Sequence, residues 1–236
     1  MDYFLGLLSF ILIAPFAYIV YRYGRSIHKH EERFYVVTAI FAVLLTIAAI
    51  FAQVFDRNLA VESPVIYALF FQGHTAFALY VLVMFAGAFK HKSKPKTTLM
   101  MVRRELAIIG FILLVPHVIL LIWTALTNYN PTGTIAFLIM IPLFITSFKH
   151  IRKKMKPLQW KKLHRLAYAA YAVIYLHVAS ITVIFNLLFS ETTADLIFGF
   201  VRFALYTIIF GFYTYLKFKN YILVDNTNKQ PKKALN

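Results

Sequence analysis

The sequence contains no cysteine, and only nine of its 236 residues are acidic. The absence of cysteine excludes disulfides, thiolate metal sites, cysteine-ligated iron–sulfur clusters and covalent attachment of a c-type haem. Charged residues make up 14% of the chain, whereas 61% of the residues are apolar, and the mean hydropathy is +0.69. This composition is too apolar for a domain whose surface meets water, so it predicts a membrane protein.

Glycine is also scarce, and the eight glycines are scattered. The sequence has neither a Gly-x-Gly-x-x-Gly motif nor a P-loop, so no nucleotide-binding domain is predicted. At about 20 residues per spanning helix, the chain holds roughly six to eight helices and leaves no room for a separate catalytic domain of ~100 residues. Any cofactor is therefore expected within the helix bundle or at its rim, and any metal would depend on the eight histidines.

Seven apolar runs predict an all-α, polytopic membrane helix bundle of about seven transmembrane helices. The runs are Tyr3–Tyr21, Phe34–Phe55, Pro64–Phe89, Leu106–Thr127, Thr132–Phe148, Leu163–Phe189 and Asp195–Leu216. The first run is predicted to be a retained helix rather than a signal peptide, because its positive charges follow the apolar stretch instead of preceding it.

The net charge of +16 is concentrated in alternate connections between the runs. Of the 25 Lys and Arg residues, 23 follow the first, third and fifth runs or lie in the C-terminal tail. Basic residues mark the cytoplasmic loops of multi-spanning proteins, so we expect an extracytoplasmic N-terminus and a cytoplasmic C-terminus. The same pattern explains the positive charge without a nucleic-acid partner.

Ionisable side chains inside a membrane are costly, which makes them functional candidates by default. Two histidines share one depth: His117 lies 14 residues beyond the inner-side Arg103, and His177 lies 13 residues beyond the inner-side His164. At 1.5 Å per residue, both imidazoles lie ~20 Å above the inner face. Counting inward from the outer ends of their runs places two more ionisable residues in the same outer half. These are His74 and Arg202.

Two imidazoles at equal depth on separate helices match what a six-coordinate haem b requires. Arg202 at that depth offers a partner for a haem propionate. For His74, a hydrogen bond between helices is an equally weighted alternative to a ligand role. His164 and His177 are separated by roughly 220° on an ideal helix, so if both bind cofactors, either the ligands lie on different flanks or the helix is distorted.

The stretch from Arg103 to His117, followed by Trp160-Lys-Lys-Leu-His-Arg-Leu-Ala-Tyr168 and then His177, resembles the ferric reductase-like transmembrane domain. It is most similar to the MsrQ (YedZ) branch, the haem-binding membrane subunit of a methionine sulfoxide reductase system. The resemblance covers roughly residues 34–219. The stretch Gly-His-Thr-Ala-Phe around His74 is also similar to a family segment, with histidine in place of an arginine.

The resemblance implies three parts, which are an additional N-terminal transmembrane helix with a basic inner loop (1–33), a haem-binding transmembrane domain (34–219) and a polar cytoplasmic tail (220–236). It implies one haem b on His117 and His177. NADPH oxidase relatives carry a second histidine pair, but Arg103 stands at the inner position here. His164 is then left to ligate a second haem through another partner, or to border an inner FMN or quinone site. His74 is an alternative outer ligand.

The implied function is that of an oxidoreductase electron-transfer subunit of a bacterial cell membrane rather than a self-sufficient enzyme. A cytoplasmic flavin reductase or membrane quinol is the expected donor, and an MsrP-like molybdenum reductase is the expected extracytoplasmic acceptor. One alternative is the reduction of ferric iron or of another extracellular acceptor. Another is a cofactor-free transporter in which intramembrane His and Arg relay protons or bind an anionic solute, although the sequence shows nothing that resembles broken helices in inverted repeats. Besides these proteins, membrane lipids are the only other expected partners.

Overall fold

The computed structural model describes residues 5–55, 57–58, 62–90, 93–124, 131–185 and 192–229. These residues are helical apart from short connections, and they contain no β-strand. The all-helical prediction is therefore confirmed for the described part of the chain.

The described residues form seven main helices, which follow the seven predicted runs in order. These are α1 Ile13–Lys29, α2 Glu31–Val54, α3 His74–Ala86, α4 Lys94–Thr124, α5 Pro131–Ile145, α6 Leu166–Ser180 and α7 Thr193–Lys229. Shorter helical segments adjoin them: Leu8–Ile11 before α1, Pro64–Ile66 and the π-helical turn Tyr67–Phe71 before α3, Lys149–Lys154 and Pro157–His164 before α6, and the π-helical turn Ile181–Phe185 after α6.

Three of the described helical stretches are long and apolar enough to cross a membrane. They are Glu31–Val54, Pro157–Val183 and Thr193–Asn220. A fourth is possible if Pro64–Phe71 and α3 form one span with a bend of 40°. Large aliphatic side chains stay exposed along α2, among them Val43, Leu44 and Ile47, as expected for a helix that faces lipid. The chain is thus a membrane protein, and the count of seven spans remains a prediction.

The helices extend further at their basic ends than the apolar runs predict. Helix α1 continues to Lys29, α4 begins at Lys94 and α7 continues to Lys229, so residues 220–229 of the predicted tail are helical. Hydrophobicity marks where the membrane ends, whereas Lys and Arg are good helix formers and let a helix continue into water. Three ends of predicted runs lie outside the described residues, as do residues 230–236. These ends are Tyr3, Thr127 and Phe189.

Helices α3 and α4 form the centre of the bundle. Leu79 and Leu82 of α3 pack with Val102 and Leu106 of α4 and with Val20 of α1. Small residues let the helices approach: a side chain at Gly110 of α4 would lie 3.3 Å from the Tyr80 ring. Two smaller clusters attach α5, α6 and α7 to this centre. Helices α4 and α6, which carry His117 and His177, therefore lie side by side in the bundle.

Candidate functional site

The structure brings His117 of α4 and His177 of α6 together. The centroids of the two imidazole rings lie 6.4 Å apart, and the ring planes meet at 72°. The sequence predicts one depth for these two histidines, and the structure places their rings next to each other. Their role as ligands stays a prediction.

Each ring has its Nδ1 atom beside an oxygen on a neighbouring element. The Nδ1–H of His117 donates to the backbone carbonyl of Phe71 at 2.7 Å. His177 Nδ1 lies 3.4 Å from the hydroxyl oxygen of Thr132 on α5. A carbonyl oxygen only accepts, so the proton of His117 sits on Nδ1 and the lone pair of Nε2 is left for a metal. Metal-ligating histidines are commonly oriented in this way.

Two glycines lie directly against these rings. Gly73 adopts a φ of +77°, which favours glycine, and a Cβ there would lie 3.6 Å from His117 Cγ. A Cβ on Gly133 of α5 would lie 2.7 Å from His177 Cε1, closer than real Cβ contacts. Both positions therefore keep the backbone next to an imidazole.

The donor set fits a metal held between two imidazoles. A metal–imidazole bond is about 2 Å long, so a ring separation of 6.4 Å would leave room for one metal to bind a nitrogen of each ring. The hydrogen bond at His117 Nδ1 selects the tautomer that such a bond requires. These residues could hold the iron of a haem b with bis-histidine ligation.

His74 at the start of α3 is buried, and both of its ring nitrogens are hydrogen-bonded. Nδ1 lies 2.5 Å from the hydroxyl oxygen of Ser9, and Nε2 lies 3.1 Å from Oε1 of Gln72. Arg202 and His117 are both close enough to act on His74 electrostatically. The geometry favours the hydrogen-bonding alternative for His74 over a ligand role.

Arg202 of α7 lies at the same end of the bundle. A Cβ on Gly6 would lie 3.0 Å from both Cδ and Nη1 of Arg202, so the arginine packs against the backbone of the N-terminal segment. The structure therefore groups Arg202 with His74, while His117 and His177 face each other nearby.

His164 belongs to a separate, inner group of side chains. Its Nε2 lies 3.1 Å from the hydroxyl oxygen of Thr146, and its ring lies 4.1 Å from the Trp160 ring at 30°. The guanidinium of Arg152 lies 4.5 Å from the Trp160 ring. The inner segment Pro157–His164 continues into α6 through Arg165, whose φ of −67° and ψ of −24° are helical, so Pro157–Val183 is one long helical stretch.

Arg103 of α4 is the charged neighbour that acts on His164, together with Arg152. It also acts electrostatically on Tyr171 of α6. The inner group of side chains therefore has an arginine of α4 beside both His164 and Tyr171.

Sequence reasoning missed an ion-pair network at the inner end of α1, α2 and α4. Glu105 is 1% exposed, and it accepts hydrogen bonds from Arg104 and from His28 Nδ1, the latter at 2.9 Å. Arg104 also pairs with Glu31, which Lys149 contacts at 2.9 Å. Possible ligand atoms of His28, Glu31 and Glu105 lie within 4.8 Å of one another. Arg104 and Lys149 already balance the two carboxylates, so the network joins helices without requiring a metal ion.

Part of this chain is similar to a known protein family. Residues 73–175 match the family of ferric reductase-like transmembrane components. The match supports the predicted family. It begins at the glycine that contacts His117, includes His164, and ends two residues before His177.

A second comparison identifies a relative, an uncharacterized protein of Treponema pallidum (strain Nichols). It is 32% identical to this chain over 154 residues, which cover 59% of this chain and 41% of the relative. The chain thus spans about two fifths of the length of that relative. No solved structure matches the chain.

Proposed function

We propose that this chain is a membrane cytochrome b that carries electrons from a cytoplasmic donor to an extracytoplasmic acceptor, as MsrQ-like subunits do. The observation that carries the proposal is the meeting of His117 and His177, with His117 held by the Phe71 carbonyl. The match of residues 73–175 to ferric reductase-like transmembrane components supports the same function.

In this proposal His117 and His177 would hold haem b through their Nε2 atoms. The bound haem would supply a reversible one-electron couple. The Phe71 carbonyl fixes the tautomer of His117. Gly133 lets the α5 backbone lie against His177 without displacing the ring. Arg202 offers a cation to a propionate on the outer side.

The inner side is where the donor would act. The stack of Arg152, Trp160 and His164 offers aromatic surface and positive charge, which suit FMN or a quinone. The basic inner surface would steer an acidic flavin reductase toward it. Because Arg103 faces His164, we propose one haem per chain rather than two.

The acceptor in the MsrQ-like version is an MsrP-like molybdenum reductase on the extracytoplasmic side. The alternative is reduction of ferric iron or of another extracellular acceptor. The outer connections between the predicted spans are short, so they would serve as a docking face rather than as a substrate pocket.

The break before α3 is a feature that a transporter would also use, because unwound helices often line solute sites. In this chain the carbonyl next to the break, that of Phe71, accepts a hydrogen bond from His117. The break therefore serves the candidate ligand, and this favours the cytochrome over the transporter.

Vesicles that contain trapped ferricyanide test the proposed function. With a membrane-impermeant reductant outside, haem-loaded protein is expected to be reduced and then to bleach the trapped ferricyanide, and a His117→Ala variant is expected not to do so. Bleaching no faster than in protein-free vesicles, with haem bound, would contradict transmembrane electron transfer.

A change of Arg202 to leucine tests the propionate contact. Removing a positive charge beside the haem destabilises the reduced form, so the midpoint potential is expected to fall by on the order of 60 mV, a tenfold change in a one-electron equilibrium. Haem retention is expected to weaken as well.

The matched control for Arg202 is Arg57→Leu, which removes an exposed arginine that lies 3.8 Å from Glu62. The control is expected to keep the wild-type potential and haem content. An unchanged potential with full haem occupancy in Arg202→Leu would reject the propionate role.

A further inference from the structure

A chain of hydrogen bonds links the N-terminal segment Leu8–Ile11 to the helix break before α3. Ser9 of this segment is 0% exposed, and its hydroxyl lies 2.5 Å from His74 Nδ1 and 3.2 Å from the Tyr206 hydroxyl of α7. Burying a hydroxyl is costly unless it is hydrogen-bonded, and here both contacts lie on other elements. Ser9 precedes the stretch that matches the ferric reductase-like family, which begins at residue 73.

The chemistry of these groups gives the chain a direction. Gln72 Oε1 only accepts, so His74 donates to it from Nε2 and accepts at Nδ1. Ser9 then donates its hydroxyl proton to His74 and accepts from Tyr206. Each donor in the series has one acceptor, and both ring nitrogens of a neutral His74 are hydrogen-bonded.

The series ends at the turn that orients the candidate ligand. Gln72 lies between Phe71, whose carbonyl accepts from His117 Nδ1, and Gly73, whose positive φ makes the turn. One short turn is therefore held on one side by His74 and contacts the His117 ring on the other. A shift of this turn would change the length or angle of the Phe71 hydrogen bond.

We infer that Ser9 and His74 are positioning residues that fix this turn, so that the Phe71 carbonyl holds His117 in the orientation of a haem ligand. The inference rests on the proposed function, because it concerns the ligand through which haem would be bound. It makes His74 a supporting residue rather than an outer ligand, and it makes the N-terminal segment part of the site.

The expected consequence is electronic as well as structural. A strong hydrogen bond from Nδ1 raises the basicity of a ligating imidazole, which favours the ferric state. Loosening the turn weakens that bond, so the midpoint potential should move in the positive direction. The low-spin electron paramagnetic resonance signal, which reports ligand orientation, should move with it.

The test compares Ser9→Ala with the unmodified full-length protein, purified with haem. We expect unchanged haem per chain, a positive shift of the midpoint potential and a changed low-spin signal. Ser9→Thr, which keeps the hydroxyl, should return both quantities toward the wild-type values. The matched control is Ser147→Ala, because Ser147 is also buried but its hydroxyl bonds to the Leu143 carbonyl of its own stretch of chain at 2.7 Å. The control should shift neither quantity.

The outcomes separate this inference from the proposed function. Wild-type protein without haem would overturn the proposed function and this inference together. Haem-loaded Ser9→Ala with wild-type potential and signal would overturn the inference alone. If Ser9→Ala does not fold, His74→Ala decides: bound haem with two axial ligands and a positive shift supports the inference, whereas bound haem that has lost one axial ligand makes His74 a ligand and overturns it.

Discussion

His177→Ala is expected to purify without the b-type spectrum of the unmodified protein. His177 supplies one of the two imidazoles that meet at 6.4 Å, and alanine leaves no donor in its place. Loss of a residue that merely supports a metal ligand costs 10–100-fold in metal affinity, so loss of a ligand itself should lower haem retention by more than about 100-fold. Absorbance of the purified protein and haem per chain measure the effect.

His150→Ala is the matched control for this experiment. His150 is an exposed histidine of the inner segment Lys149–Lys154, and its removal should leave the spectrum unchanged. Full haem retention in His177→Ala would reject the ligand assignment, whatever the behaviour of the control.

Gly133→Ala is expected to displace the His177 ring. The added Cβ would lie 2.7 Å from Cε1 and 2.9 Å from Nδ1 of His177, so either the imidazole or α5 must move. A misplaced ligand binds its metal poorly, so we expect the affinity for haem to fall by about 10–100-fold, as for loss of a ligand-orienting partner, and haem per chain to fall with it. The measurement is haem content after identical expression and purification.

Gly211→Ala in α7 provides a matched comparison, because a Cβ there would meet no atom within 4 Å. Both changes replace a helical glycine by alanine, which by propensity alone favours the helix by about 1 kcal/mol. Gly211→Ala should therefore keep its haem and fold at least as well. Equal haem content in the two variants would show that the close approach at Gly133 is not needed.

The meeting of His117 and His177 was predictable because the rise of an α-helix is fixed. Counting residues from the basic inner ends gave both imidazoles one depth, and the bundle then brought α4 and α6 together. The all-helical fold was predictable for a similar reason, since long apolar runs with basic flanks leave few other structures in a membrane.

The sequence predicts the break before α3 less firmly than it predicts the all-helical fold. A single glycine in an apolar run is compatible with a continuous helix, and the sequence showed no proline at that point. The polar neighbours Gln72 and His74 were a signal, because polar side chains beside a glycine are typical of a turn. Their partners, Ser9 and the Phe71 carbonyl, depend on the packing of distant segments.

The inner ion-pair network was missed because it depends on which helix ends pack together. Only nine acidic residues occur in the chain, and two of them, Glu31 and Glu105, lie beside basic residues at the inner ends of α2 and α4. The presence of two of these few acidic residues beside basic residues was the signal in the sequence for an ion-pair network. The identity of the partner cations required the tertiary structure.

Haem binding by His117 and His177 is best tested by a dithionite-reduced minus oxidised spectrum of the protein purified in detergent, with pyridine haemochrome quantitation of haem per chain. We expect a b-type spectrum and close to one haem per chain, held by His117 and His177. Two haems per chain would contradict the role given to Arg103 beside His164. No haem after haem-replete expression would contradict the electron-transfer function itself and favour the transporter.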